Sequence, residues 1–207
     1  PELALTGYGC EDAFFAPHVQ RRALAQLQAL LPETQGLAVA IGMPVVVDGT
    51  HYNGAAWVQD GTLLGFYLKQ FLADDGLHYE PRWFDAWPRG QVAQVTVGQQ
   101  QVPAGDLLFR HGPLTVGMEI CRDGWKGPLR PAHYQVPQGA NLVLAPNASH
   151  FALDKIYTRQ GFVDEVLAAY PTGYALANLL GNEAGRILYD GHLSLGSQGS
   201  LHHREAS

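Results

Sequence analysis

Three side chains in this sequence have the types and positions that nucleophilic catalysis could use: Glu2, Lys69 and Cys121. Cys121 ends an apolar run, and the polar residues 122–123 follow it. Glu2 lies between a proline and an apolar stretch, and Lys69 ends a second apolar run. A charge in such surroundings is costly unless it is paired or used. Together the three side chains could supply a nucleophile, a base and an anion stabiliser.

The cysteine also has a simpler interpretation. A free cysteine is more often a small buried hydrophobe than a nucleophile. The chain has only one other cysteine, Cys10, so a disulfide is not the expected reason for Cys121. The end of a strand in an α/β sheet, however, is where catalytic side chains are usually found. Whether Cys121 does chemistry therefore depends on whether the fold brings a base and a cation to it.

The composition excludes several classes of protein. A net charge of −6, a charged fraction of 15% and the lack of a basic cluster argue against a nucleic-acid partner. No apolar run approaches the roughly 20 residues that span a bilayer, and no signal peptide is visible, so no membrane partner is expected. The cysteines and histidines lack metal-ligand spacing, which predicts no metal site and fits a reducing, cytoplasmic compartment.

Hydrophobic periodicity predicts a mixture of helices and strands in one substantial domain. Helices are expected at residues 17–31, 128–138 and 153–169, and strands at 37–47, 53–58, 62–69, 91–97, 107–110, 114–121, 141–145, 173–180 and 186–194. Residues 59–61 carry a hairpin-turn signal, and residues 181–185 are expected to be a turn between the last two strands. The recurring hairpins favour helices packed on sheets of mixed direction over a doubly wound parallel sheet.

The motifs around the three candidate residues resemble those of the nitrilase, or carbon–nitrogen hydrolase, superfamily. They are Pro-Glu-Leu-x-x-Thr-Gly-Tyr at residues 1–8, a strand that ends in lysine at residue 69, and Glu-Ile-Cys at 119–121 with a tryptophan within four residues. The resemblance implies an α/β (α+β) fold, a four-layer α-β-β-α sandwich. It also implies a catalytic triad, with Glu2 as general base, Lys69 as the triad lysine and Cys121 as nucleophile.

The segments between these motifs resemble more closely the glutaminase domain of the glutamine-dependent NAD⁺ synthetase family. The segments are residues 7–12, 42–44, 69–84, 147–150 and 189–191. The resemblance implies that the side-chain amide of glutamine is hydrolysed through a cysteine thioester. The ammonia would then serve ATP-dependent amidation of deamido-NAD⁺ to NAD⁺. We accordingly expect glutamine as substrate, an NAD⁺ synthetase domain on the same chain or a partner, and a homo-oligomer.

The family's domain order gives an expectation for the ends of the chain. In that family a strand and a helix precede the Pro-Glu motif, and the synthetase domain follows the glutaminase domain. Residues 1–207 are therefore expected to be an incomplete carbon–nitrogen hydrolase domain, truncated at both ends. The resemblance implies no cofactor in this domain, because ATP and Mg²⁺ are expected only in the absent synthetase domain.

The resemblance assigns further residues, each with an alternative. Glu80 corresponds to a second glutamate beside the triad, where it would hydrogen-bond Lys69, although it could instead form a simple ion pair with Arg82. Ser149 and Lys155 fall at positions of the glutamine-binding pocket. Ser149 could alternatively be only the N-cap of the helix expected from residue 153.

One residue departs from the family pattern. Many relatives carry an acidic residue directly after the nucleophile, whereas this chain has Arg122. Arg122 is therefore expected among the substrate-binding residues. The α-amino group of the substrate would then be held by Asp123 or Asp75. The alternative function is therefore a free-standing amidase or nitrilase that acts on another small amide or nitrile. A third hypothesis, an inactive scaffold that assembles an oligomer, is disfavoured by the complete triad.

Overall fold

The computed structural model describes residues 1–183, 185–198 and 200–204, which form two compact units. One unit is Leu3–Leu107, and the other combines Pro1–Glu2 with Leu108–Ser207. Each unit has a sheet with helix packed on it, so the predicted mixed α/β class is confirmed. Among the described helices, none is both long enough and apolar enough to cross a membrane.

The unit Leu3–Leu107 is built on a five-stranded sheet. Its strands are β1 (Ala38–Val47), β2 (Thr50–Gln59), β3 (Thr62–Leu68), β4 (Val92–Val97) and β5 (Gln100–Gly105), in the spatial order β1-β2-β3-β5-β4. Neighbouring strands pair antiparallel except β3 and β5, which are parallel. Helix α1 (Pro17–Leu30) buries Ala23 and Leu27 in one apolar cluster with Met43 and Phe66.

Turn residues explain the hairpins of this unit. Asp60 (φ 48°) and Gly61 (φ 75°) connect β2 to β3, and both adopt the positive φ that a type I′ turn requires. The hairpin predicted at residues 59–61 is thus confirmed. Strand β5 was not predicted, because it begins with polar residues and contains Pro103, which is unusual within a strand.

The second unit is built on a six-stranded sheet and a separate two-stranded ribbon. The sheet strands are β6 (Phe109–His111), β7 (Leu114–Met118), β8 (Leu142–Asn147), β9 (Gly173–Asn178), β12 (Leu193–Ser197) and β13 (Ser200–Arg204), and the ribbon strands are β10 (Leu180–Glu183) and β11 (Ile187–Asp190). Strands β7, β8 and β9 run parallel. Helices α2 (Ala132–Gln135) and α3 (Lys155–Ala169) cover this part of the sheet, and Val163 and Val166 of α3 are fully buried there.

Three predictions in the second unit are wrong. The strand expected at 186–194 is interrupted at residues 191–192, which separate β11 from β12. The strand expected at 114–121 ends at Met118, and Cys121 instead begins a 3₁₀ turn, because Asp123 hydrogen-bonds the backbone and closes the chain into a turn. Residues 181–183, expected to be a turn, lie in β10 and pair with β11. Their glycine and asparagine resemble a turn in composition, but the cross-strand pairing with β11, the next strand along the chain, overrides that local signal. Residue 184 lies outside the described residues.

The close packing at Gly54 in β2 can be tested by adding one methyl group. A Cβ at this position would lie 2.9 Å from both the backbone oxygen of Tyr67 and Cδ2 of Leu68. Gly54→Ala is therefore expected to lower the free energy of unfolding by about 1–3 kcal/mol in urea denaturation. Gly161 in α3 is the control, because nothing lies within 4 Å of a Cβ added there. Gly161→Ala is expected to stabilise by about 0.5–1 kcal/mol, and similar losses in both variants would contradict the described packing.

Candidate active site

The Lys69 and Glu80 side chains form a fully buried ion pair. Lys69 directly follows β3, Glu80 begins a 3₁₀ turn (Glu80–Arg82), and Nζ of Lys69 lies 2.7 Å from Oε1 of Glu80. The Glu80 carboxylate also accepts hydrogen bonds from Oη of Tyr8 at 2.8 Å and from the backbone N–H of Ala73 at 2.9 Å. Four donors from different parts of the unit, including Asn53 at 3.4 Å, therefore converge on one carboxylate.

This arrangement favours the ionised form of Glu80. Burial alone would raise the pKa of Glu80, but the Lys69 ammonium and the hydrogen bonds to the carboxylate hold that pKa below its ordinary value. Arg82, the alternative partner, instead donates to Asp12 from Nε at 2.6 Å and from Nη2 at 2.7 Å. The predicted hydrogen bond between Glu80 and Lys69 is present, and the interpretation of Glu80 as a partner of Arg82 is wrong.

Cys121 lies in a strained turn after β7. Its φ of 44° falls in the left-handed region, which is uncommon for a residue with a side chain and recurs at functional sites. The carboxylate of Asp123 accepts the N–H of Ile120 at 2.9 Å, and the N–H of Asp123 donates back to the Ile120 carbonyl at 3.0 Å. Asp123 is fully buried, and its role in holding a substrate amino group stays a prediction. The cysteine side chain at the centre of the turn is partly exposed.

A second buried ion pair, not predicted from the sequence, fixes the segment that carries the cysteine. Arg130 donates from Nε and Nη2 to the two carboxylate oxygens of Glu119 at 3.1 and 2.7 Å. Glu119 also accepts from the N–H of Ala132 at 2.8 Å and from Oη of Tyr174 at 3.0 Å. Burial and the Glu119 carboxylate raise the pKa of Tyr174 well above its ordinary value, so the phenol stays a donor. Glu119 is a charged residue inside an apolar run, and this pattern could have indicated a buried carboxylate with a partner.

Glu2 is fully buried and is held by Asn147, the last residue of β8, and by Ala148, which follows it. Its Oε2 accepts a hydrogen bond from the backbone N–H of Ala148 at 3.0 Å, and its own N–H lies 3.4 Å from the carbonyl oxygen of Asn147. Glu2 and Cys121 belong to the unit with the six-stranded sheet, whereas Lys69 belongs to the unit with the five-stranded sheet. The joining of these three side chains into one triad stays a prediction.

Ser149, a predicted substrate-binding residue, is held inside the second unit. Its N–H donates to Oδ1 of Asn178 at 2.8 Å, and its hydroxyl lies 3.4 Å from Nη1 of Arg159. The N-cap of α3 is Asp154, which makes no side-chain capping bond. The interpretation of Ser149 as a helix N-cap is therefore wrong.

Lys155 and Arg122, two further predicted binding residues, offer cationic groups in the same unit. The Lys155 Nζ lies 2.8 and 3.0 Å from the ring nitrogens of His150, and 5.4 Å from the ring centre of Trp125. Arg122 is partly exposed, and its buried Nε has no hydrogen-bond partner among the described residues. The binding roles of both residues stay predictions.

Asp75, in the other unit, organises its own loop. Its Oδ1 accepts the N–H groups of Leu77 at 3.2 Å and His78 at 2.8 Å, and it lies 3.1 Å from Nδ1 of the His78 ring. Burial alone would raise the pKa of Asp75, but the bonds from His78 and Leu77 lower it. The carboxylate is therefore an anion at neutral pH, and its role in holding a substrate amino group stays a prediction. No cluster of His, Cys, Asp or Glu in the part of the chain that the structure describes could hold a metal ion.

Comparison with known proteins decides the family. The carbon-nitrogen hydrolase profile matches residues 1–158. The chain belongs to the carbon–nitrogen hydrolase family. A solved glutamine-dependent NAD(+) synthetase from Cytophaga hutchinsonii is 39% identical, with a TM-score of 0.90 over 99% of this chain and 33% of that chain. The resemblance inferred from the motifs is thus confirmed.

Two further proteins define how far the likeness extends. The mouse glutamine-dependent NAD(+) synthetase is 31% identical over 97% of this chain and 29% of its own length. A carbon-nitrogen hydrolase structure from Helicobacter pylori covers 100% of this chain and 71% of that chain, with a TM-score of 0.76 and 19% identity, and shows the shared fold alone. The chain therefore spans about a third or less of the synthetases it matches.

The buried Lys69–Glu80 pair predicts a large effect of removing one charge. Glu80→Gln keeps the size of the side chain but leaves a buried ammonium without its carboxylate, which costs about 3–5 kcal/mol of unfolding free energy. Urea denaturation at neutral pH measures this loss. Because the folded pKa of Glu80 lies below its unfolded value, its stabilisation is present above the unfolded pKa and is lost as the pH falls through the folded pKa. The difference from wild type should therefore shrink in acid.

Arg82→Gln is the matched control, because Arg82 pairs with Asp12 on the surface. It is expected to leave the unfolding free energy nearly unchanged. Equal losses in the Glu80 and Arg82 variants, or a Glu80→Gln difference that grows in acid, would contradict the assignment of the buried pair.

Proposed function

We propose that this chain is the glutaminase part of a glutamine-dependent NAD⁺ synthetase. It would hydrolyse the side-chain amide of glutamine and supply ammonia for the ATP-dependent amidation of deamido-NAD⁺ to NAD⁺. The observation that carries the proposal is the 39% identity with the Cytophaga hutchinsonii synthetase over 99% of this chain. A synthetase domain, on the same chain or a partner, would bind ATP and Mg²⁺ and use the ammonia, within a homo-oligomer.

In the proposed reaction Cys121 forms a thioester with the substrate. Its Sγ attacks the amide carbon while Glu2 accepts the thiol proton. The Lys69 ammonium and a backbone N–H near Arg122 would stabilise the oxyanion of the tetrahedral intermediate. Glu2 then returns the proton to the departing ammonia as the carbon–nitrogen bond breaks. Water activated by Glu2 attacks the thioester, which releases glutamate and restores the thiol.

The proton transfer requires surroundings that reduce the pKa difference between the thiol and the carboxylic acid. An ordinary carboxylic acid and an ordinary thiol differ by about four pKa units, so transfer from thiol to carboxylate is uphill by roughly 6 kcal/mol. A neighbouring ammonium favours a thiolate, and burial disfavours an isolated carboxylate anion, so both effects narrow this gap. The pair with Glu80 supports the proposal, because it keeps the buried Lys69 charged and oriented.

If Cys121 is the nucleophile, removing its thiol should lower the rate of glutamine hydrolysis. Cys121→Ala in the full-length gene product is expected to lower the rate of glutamine hydrolysis by about 1,000-fold or more. Release of ammonia and glutamate measures the rate. Cys10→Ala removes the other cysteine, whose Sγ lies 3.1 Å from the carbonyl oxygen of Thr6, and should retain activity. Unchanged hydrolysis in Cys121→Ala would overturn the assignment.

Arg122 supports the second candidate function, a free-standing amidase that acts on another small amide or nitrile. Arg122 directly follows Cys121, and its buried Nε has no hydrogen-bond partner within the described part of the chain. A guanidinium there would attract a substrate carboxylate and repel an α-amino group. Glutaramate, which keeps the amide and the carboxylate of glutamine but lacks the amino group, separates the two functions. A higher kcat/KM for glutaramate than for glutamine would favour the amidase.

The charge at Arg122 predicts a change in this preference. Arg122→Glu is expected to raise the ratio of kcat/KM for glutamine to that for glutaramate about tenfold, equivalent to about 1.4 kcal/mol. Lys126→Glu makes the same charge change four residues later and should leave the ratio within about twofold of wild type. An unchanged ratio in Arg122→Glu would remove Arg122 from the binding site.

A further inference from the structure

The loop that holds Glu2 is itself held by the chain around it. This loop, residues 147–149, is called the base loop. The N–H of Ala148 donates to Oε2 of Glu2 at 3.0 Å, and the carbonyl oxygen of Asn147 accepts the N–H of Leu179 at 2.9 Å. Because the Ala148 N–H is fixed to its own backbone, the position of the Glu2 carboxylate depends on the position of the base loop.

Asn178, the last residue of β9, hydrogen-bonds the base loop through both the oxygen and the nitrogen of its side-chain amide. Oδ1 accepts the N–H of Ser149 at 2.8 Å, and Nδ2 donates to the carbonyl oxygen of Ser149 at 2.9 Å. Nδ2 also donates to Oδ1 of Asp190 at 2.7 Å, so both of its hydrogens are used. An ionised carboxylate only accepts hydrogen bonds. Asp190 therefore requires Nδ2 on its side, and this fixes the orientation of the amide that holds Ser149.

Arg159 completes the network from helix α3. It is fully buried, pairs through Nη2 with Oδ2 of Asp190, and lies 3.4 Å through Nη1 from the hydroxyl of Ser149. Burial alone would raise the pKa of Asp190, but hydrogen bonds from Asn178 and from the N–H of His192, together with the Arg159 charge, lower it. The Arg159 guanidinium thus favours the charged form of Asp190, and both side chains act on groups that touch the base loop.

We propose that Arg159, Asp190 and Asn178 are positioning residues for Glu2. They act through Ser149 and the Ala148 N–H, which places the carboxylate for proton transfer with Cys121. A hydrogen bond to a carboxylate favours its ionised form. The network therefore also contributes to the pH above which Glu2 acts as a base. This inference rests on the proposed function, in which Glu2 accepts the thiol proton.

A purely structural role would not require this arrangement. A buried ion pair is a weak source of stability compared with apolar side chains of similar size. Helix α3 already packs on the sheet through Val163 and Val166. In contrast, Asn178 and Arg159 both contact Ser149. Ser149 directly follows Ala148, whose N–H donates to the Glu2 carboxylate. This convergence is what a positioning role requires.

The test measures the pH profile of glutamine hydrolysis by the full-length gene product. Asn178→Ala is expected to lower kcat about tenfold and to move the acidic limb of the kcat profile upward by about 0.5 pH unit or more, because the Ala148 N–H no longer stabilises the ionised base. Asp190→Asn, which keeps the side-chain size, is expected to shift the limb in the same direction and serves as a second, independent variant.

Val163→Ala is the matched control, because Val163 is buried in α3 one turn from Arg159 and packs in the apolar cluster. It is expected to lower stability while the acidic limb stays at the wild-type pH. An acidic limb at the wild-type pH in both Asn178→Ala and Asp190→Asn would overturn the positioning role. The same upward shift of the limb in Val163→Ala would also overturn it. Failure of the proposed function is distinguishable, since it would appear as wild-type protein without Cys121-dependent release of ammonia from glutamine.

Discussion

The structure depends on buried ion pairs, in which the attraction between two charges offsets the free energy lost when both are removed from water. Lys69 and Glu80 lie 2.7 Å apart with almost no solvent exposure, and each would be strongly unfavourable there alone. Three further donors complete the shell of the Glu80 carboxylate, from Tyr8, Asn53 and Ala73. Such a pair adds little net stability compared with apolar side chains. The pair also holds an ammonium in one orientation, which the proposed stabilisation of an oxyanion by Lys69 would require.

The same principle recurs in the second unit, beside each of the other two candidate residues. Glu119 and Arg130 are both fully buried and fix the segment that carries Cys121. Arg159 and Asp190 support the loop that donates to Glu2. Each catalytic candidate thus has its own set of charged and polar contacts, in which hydrogen bonds satisfy most of the buried polar groups. Reactive groups held in this way lose little entropy when a substrate binds.

Local sequence signals predicted the parts of the molecule that local interactions determine. Asp60 and Gly61 predicted a hairpin because their turn requires positive φ, and charges in apolar runs selected Glu2 and Lys69. The sheet strands with apolar or β-branched runs were also found. The turn at Cys121 was not predicted, because it depends on a hydrogen bond that the backbone N–H of Ile120 donates to the Asp123 carboxylate. No hydrophobic period reveals such a bond.

The polar networks could not be predicted for a related reason. Tyr8 and Glu80 are 72 positions apart, and Ser149 and Asn178 are 29 apart, so no spacing pattern connects them. Only the fold brings these partners together. A charge in an apolar segment could have indicated that Glu119 has a partner, but not that the partner is Arg130. The sequence thus contains the signals for buried charges, whereas their partners follow from tertiary structure.

The proposed mechanism requires that Cys121 form a covalent bond to the acyl group of glutamine. Mass spectrometry of peptides from the full-length gene product, quenched in acid during turnover of glutamine, tests it most directly. If Cys121 is the nucleophile, the peptide containing Cys121 is expected to gain the mass of one γ-glutamyl group, which hydroxylamine removes, while the peptide containing Cys10 is unmodified. Turnover of glutamine with no adduct on Cys121, or with the adduct on another residue, would contradict it.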